Sequence, residues 1–127
     1  DLIFLGQDMK TGRYQVAFKF DDGNEKKIYL TPREYDVYFQ VATRSYKGHI
    51  KGLPISCDKH IKPTIAHIKG KISDEIPDLT YSNQYKPERD GNVYVLRLDK
   101  SKVFVRVHTH NCRCEYEEIP IMKYDRM

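Results

Sequence analysis

The sequence predicts an α+β fold: antiparallel strands at the N-terminal end, three central helices and a β-hairpin near the C-terminal end. Three observations carry that expectation. Tyr14, Val16, Phe18 and Phe20 alternate with Arg13, Gln15, Ala17 and Lys19, the period of a half-buried strand. Thr31-Pro32-Arg33-Glu34 has the composition of a helix start. Ile61, Ile65, Ile68 and Ile72 recur at spacings of four, three and four residues, one face of an amphipathic helix.

In chain order, Leu2–Leu5 is an apolar run read as a first strand, ended by a turn around Lys10-Thr11-Gly12. The alternating stretch is the second strand. Asp21-Asp22-Gly23-Asn24 is turn chemistry, and Lys27–Leu30 returns as a third strand. A first helix then starts with Thr31 as cap, Pro32 in the first helical position and Glu34 completing a capping box. Val37, Tyr38, Val41 and Ala42 form its apolar face.

A second, short helix is expected over Lys47–Leu53, although Gly48 and Gly52 weaken it. Pro54–Cys57 breaks the pattern, and Asp58 or Ser56 would cap a third helix running to Ile72. Pro63 falls inside that segment, where it removes a hydrogen bond and disfavours helical geometry at Lys62. The helix therefore starts either at Asp58 or near Pro63. A turn-rich loop (73–91) follows, and Val93–Leu98 and Lys102–His108 read as a hairpin around Asp99–Ser101. Glu115–Ile119 is strand-like, and the end is expected to fray.

At 127 residues the chain is expected to be a single domain with its own core. It opens on Asp1 rather than Met, as expected of an excised piece. No apolar run approaches the ~20 residues a membrane span needs, and no signal-peptide pattern is present. Three cysteines, an odd number, argue against a disulfide framework and for a reducing, cytoplasmic setting.

The net charge of +4 is unevenly placed. Arg44, Lys47, Lys51, Lys59, Lys62, Lys69 and Lys71 face a single acid, Asp58, across residues 44–71, a local excess of +6. The rest of the chain is net −2. Such a concentration suits a segment that faces a polyanion; the alternative is a solvated basic face. On the third helix Lys59, Pro63, Ala66 and Gly70 lie opposite the isoleucines. His60, His67 and Lys71 flank that strip on one side, Lys62 and Lys69 on the other. An apolar back, a small front and cationic edges are what a helix needs to enter the major groove.

Leu30-Thr31-Pro32-Arg33-Glu34, with apolar Val37, Ala42 and Ile50, Ile55-Ser56 in the turn, and Asp58-Lys59-His60-Ile61-Lys62 leading to Lys71-Ile72, resembles the helix-turn-helix DNA-binding domain of LuxR-type regulators. The flanking strands are similar to those of OmpR-type winged helices, with Val93–His108 as the wing and Arg97, Lys100 and Lys102 available for phosphates. Either resemblance implies a DNA-binding transcription regulator, bacterial or phage, reading the duplex with residues 58–72. It implies Lys59, His60, Lys62 and Thr64 at the DNA. Arg44, Lys47, His67 and Lys71 extend the expected surface, and a homodimer on two half-sites would fit.

His108, His110, Cys112 and Cys114 are ligand-type residues in strict alternation. On one strand face they would stand ~6.6 Å apart, too far for all four to bind one tetrahedral zinc. A turn near Asn111, Cys57 or another chain would be needed. No cofactor is otherwise called for. The same tail, His110-Asn111-Cys112-Arg113-Cys114, resembles the end of Mu-F-like phage minor head proteins over these few residues. That resemblance implies a phage or prophage origin.

Three functions are therefore expected in order: a DNA-binding regulator with no enzymatic role, a phage structural or protein-interaction module, and a metal-dependent hydrolase or nuclease using the tail. The hydrolase lacks a carboxylate constellation in the sequence. Ten tyrosines favour protein contacts in the second reading.

Overall fold

The computed structural model describes residues 1–44, 53–54, 59–108 and 116–124. The fold is α+β. Strands β1 (Leu2–Gln7), β2 (Tyr14–Lys19) and β3 (Glu25–Leu30) form an antiparallel meander. Helix α1 (Pro32–Arg44), the two-residue strand β4 (Leu53–Pro54) and helix α2 (Ile61–Glu75) follow. Then come the helical turn α3 (Leu79–Ser82), strands β5 (Glu88–Asp90), β6 (Val93–Val95), β7 (Val103–His108) and β8 (Tyr116–Pro120), and α4 (Ile121–Tyr124).

The main sheet has the order β3-β2-β1-β7-β8. Only β1 and β7 run parallel; the other neighbours are antiparallel. Alternation sets which residues face the helices, although Ile3 and Ala17 on the other face are buried as well. Leu2, Phe4, Val16, Phe18, Ile28 and Leu30 point to the helices, where Val37, Tyr38 and Val41 of α1 and the four isoleucines of α2 meet them. Phe4 sits at the centre, in edge contact with the rings of Tyr35, Tyr38 and Phe39 at 5.2–5.6 Å. Tyr38 is fully buried and its hydroxyl donates to the carbonyl of Tyr85, which satisfies the one polar atom it brings into the core. Burial pushes that phenol well above its ordinary value.

A bulge at Leu5 interrupts the β1–β2 ladder between Phe4 and Gly6. Gly6 takes a positive φ of 80°, which a side chain would resist. Its backbone N–H, pulled from the ladder, donates to the Tyr35 hydroxyl at 3.0 Å. The bulge thereby ties the sheet to α1.

Several expectations need correction. The Val93–His108 hairpin does not form: β6 pairs with β4 and β5 in a separate three-stranded sheet, and β7 pairs with β1 and β8. The reason lies in the connection. Leu96 and Leu98 are buried in the core, and Asp99 caps a 3-10 turn through the Ser101 N–H, so residues 96–102 cannot act as a tight hairpin loop. The apolar strand β1 meanwhile needs a neighbour on each side, and Val103–Val105 supplies the second. No winged-helix pairing is present there. The expected loop at 73–91 carries the last turn of α2, α3 and β5. Of the expected short helix, residues 47–52 lie outside the described residues, and Leu53 belongs to β4. No helix among the described residues is long and apolar enough to cross a membrane.

Candidate nucleic-acid interface

The helix start read from Thr31–Glu34 closes as a reciprocal capping box. The Thr31 hydroxyl accepts from the Glu34 N–H at 3.1 Å, and the Glu34 carboxylate accepts from the Thr31 N–H at 3.0 Å. Glu34 does more than cap. Its carboxylate is buried and also receives the Lys71 ammonium of α2 at 2.6 Å, with His67 Nδ1 at 3.8 Å. Burial pushes this carboxyl up, but the Lys71 ion pair, the Thr31 N–H and the nearby His67 outweigh it and hold it below the usual range. One acid therefore caps α1 and clasps α2 to it.

Helix α2 begins at Ile61, not at Asp58, with His60 as the capping position. Pro63 then falls in the first turn, where its missing N–H has no intrahelical partner to lose. The turn is closed by Thr64, whose N–H and hydroxyl both donate to the His60 carbonyl at 3.1 and 2.8 Å. At the far end the Ile76 N–H donates to the Ile72 carbonyl, and Pro77 follows.

The expected DNA-facing residues divide into two groups. Lys59, His60 and Lys62 are exposed, as are Pro63, Ala66, Lys69 and Gly70. A methyl group added at Gly70 would meet nothing within 4 Å, so this ridge is open. Thr64 is corrected: it is buried, and its hydroxyl accepts from Arg33 Nε at 3.2 Å. Lys71 is half-buried in its ion pair, and His67, although exposed, leans on the same carboxylate. Those three face α1 rather than an outside partner. Lys62 and Lys69, on the opposite flank, point away from α1; on β3, which packs against α2, Lys26 of the helix-side face is also exposed. Arg44 is exposed at the end of α1, and Lys47 lies outside the described residues. Asp74 shares the outer ridge near the end of α2 and limits the basic stretch to its first three turns.

The tail is largely outside the described residues: His110, Cys112 and Cys114 all fall there. The backbone of His108 ends β7 opposite Tyr116. Among the described residues no group of three or more His, Cys, Asp or Glu is placed to hold a metal.

Sequence reasoning missed the Glu34–Lys71 clasp. Its signal was present in the phase of α2, since His60, His67 and Lys71 share one flank. It also missed a cleft of about 960 Å³ at the end of the sheet, where Phe20, Tyr81 and Tyr85 form an aromatic wall beneath Lys26, Lys102 and Asp21. Cations and acids share its rim, so it carries no preference for a polyanion. No protein family, curated protein or solved structure matches this chain.

Proposed function

We propose that the chain binds duplex DNA through the outer face of α2, with Lys59, Lys62 and Lys69 on phosphates. The observation that carries this reading is the open ridge Pro63–Ala66–Gly70 flanked by exposed cations. Small side chains let a helix approach closely, and the ammonium groups of Lys62 and Lys69 reach the backbone along one flank, with Lys59 at the helix entrance. Lys26, exposed on the helix-side face of β3, extends the positive surface from the helix flank to the sheet edge. Because the available polar groups are mainly lysines, phosphate contacts supply most of the affinity and the binding is strongly salt-dependent. The contacting set is narrower than the sequence implies, since Thr64 and Lys71 are engaged inside the fold.

The test is a titration of the 127-residue chain with random duplex DNA over a range of salt concentrations. Replacing Lys59, Lys62 and Lys69 by alanine is expected to reduce affinity at low salt by roughly a hundredfold or more. The slope of log K against log salt should fall by about 2.7, from about 0.9 per lost phosphate contact. An unchanged affinity and slope would overturn the reading.

A further inference from the structure

The two outer strands of the main sheet are charged oppositely. Among the described residues β3 and β8 each have one neighbour. Strand β3 exposes Lys26 and Lys27 beside one acid, Glu25, and strand β8 carries Glu117 and Glu118, the latter in an ion pair with Arg106 of β7 at 2.9 Å. Charges on an outer strand discourage pairing with a like strand. Two β8 strands side by side would set glutamates against glutamates, and two β3 strands paired about Lys27 would set lysine against lysine.

The unlike pair fits in direction as well as in charge. β3 is antiparallel to β2, β2 to β1 and β7 to β8, while β1 and β7 are parallel. It follows that β3 and β8 run in opposite directions. A second copy placed beside the first, with its helices on the same side, brings its β8 antiparallel to β3.

The side chains also fall into register. Ile28 and Leu30 face the helices, so Lys27 and Tyr29 stand on the other face. On β8 it is Ile119 that is buried, opposite Val105, which leaves Tyr116 and Glu118 on that same far face. Setting Lys27 opposite Glu118 of the next copy adds a second cation to the Arg106–Glu118 pair and sets Tyr29 opposite its Tyr116, while on the helix face Ile28 meets Glu117 and Lys26 meets Ile119. Both tyrosines are about half exposed, at 46% and 52%, and each lies under an arginine: Arg13 at 5.7 Å and Arg106 at 4.0 Å. Opposite charges and aromatic pairs directly across an antiparallel ladder are stabilising.

We propose that copies of this chain join head to tail, β8 of one copy adding as a strand to β3 of the next. The contact uses two different surfaces, so it does not close at a dimer and grows into an open string or a ring. It stands apart from DNA binding, which uses the outer face of α2.

Light scattering and sedimentation of the 127-residue chain across a wide concentration range test it. The mean mass should rise with concentration past that of a dimer and fall as salt is raised. Lys27→Glu, a change at an exposed site, should require roughly tenfold higher concentration for the same mass, while Lys27→Arg behaves like the parent. The Lys27→Glu chain keeps its acidic β8, so a small fraction of it added to the parent should terminate growth and lower the mean mass. Circular dichroism and the melting temperature establish that each variant is folded. A parent that stays monomeric, an assembly that stops at a dimer, or association indifferent to Lys27→Glu would each overturn the proposal.

Discussion

The two flanks of α2 carry similar residues and meet opposite fates. On one flank Thr64, His67 and Lys71 turn to α1, where Arg33 and Glu34 occupy them. On the other, Lys62 and Lys69 stand in solvent with Lys59 at the helix entrance. A lysine bonded to a buried carboxylate holds two helices together; one in water is available to a phosphate. A count of positive charges treats both as equal, and the fold does not.

The largest expected effect removes the apolar seam that both flanks share. Ile68 is fully buried between the helices and the sheet, so Ile68→Ala should cost about 3–4 kcal/mol in denaturant unfolding. A loss under about 1 kcal/mol would mean that α2 is not seated as described.

Next comes the clasp. Glu34→Ala removes the return half of the α1 capping box and leaves Lys71 without its carboxylate. A loss of about 2 kcal/mol is expected from the cap and the buried hydrogen bonds together. DNA affinity should change less than twofold for Lys71→Ala, yet fall roughly tenfold for Lys62→Ala with Lys69→Ala. Equal losses on the two flanks would erase the distinction.

Acid should expose the same carboxylate. The folded Glu34 titrates below its ordinary value of 4.5, so the unfolded chain binds more protons in that range. The stability it contributes is present above about pH 4.5 and is lost as pH falls through its folded value. Glu34→Gln should flatten that acid limb, measured by melting temperature against pH. A limb unchanged in the variant would assign the acid sensitivity to other carboxylates.

The smallest change sharpens the outer face. Gly70→Ala fills open space in the middle of α2 and should stabilise the chain by up to about 1 kcal/mol. A loss of stability instead would show that something packs on the ridge.

Local signals were the legible ones. The capping box of Thr31 and Glu34, the isoleucine stripe and the strand at β2 depend on neighbours in the chain and each formed, although Ala17, expected on the exposed face of β2, is buried. The strand at Val103–His108 was also readable from its alternation, but its partner was not. Nothing within those residues distinguishes β6 from β1 as a neighbour, because the choice is made by the burial of Leu96 and Leu98 and by an apolar β1 that needs a second side. Pro63 left two starts open, and the one near Pro63 holds: its effect depends on whether it stands in the first turn or further in. The ends of α2 set that, and they are fixed by His60 and by packing on α1. The exposed ridge was legible, and the internal use of Thr64 and Lys71 was not, since a side chain's partner leaves no mark on its own sequence.

The parallel pair at the centre of the sheet also sets the order of folding. It joins Leu2 to Val103 and Phe4 to Val105, residues about a hundred positions apart. The meander β1–β2–β3 can assemble from local contacts alone, but until β7 arrives one side of its most apolar strand stays bare. Closure of so long a loop is slow compared with local pairing. During synthesis, nearly the whole chain must emerge before β1 is covered, and that interval is when this sheet is most open to pairing with the wrong strand.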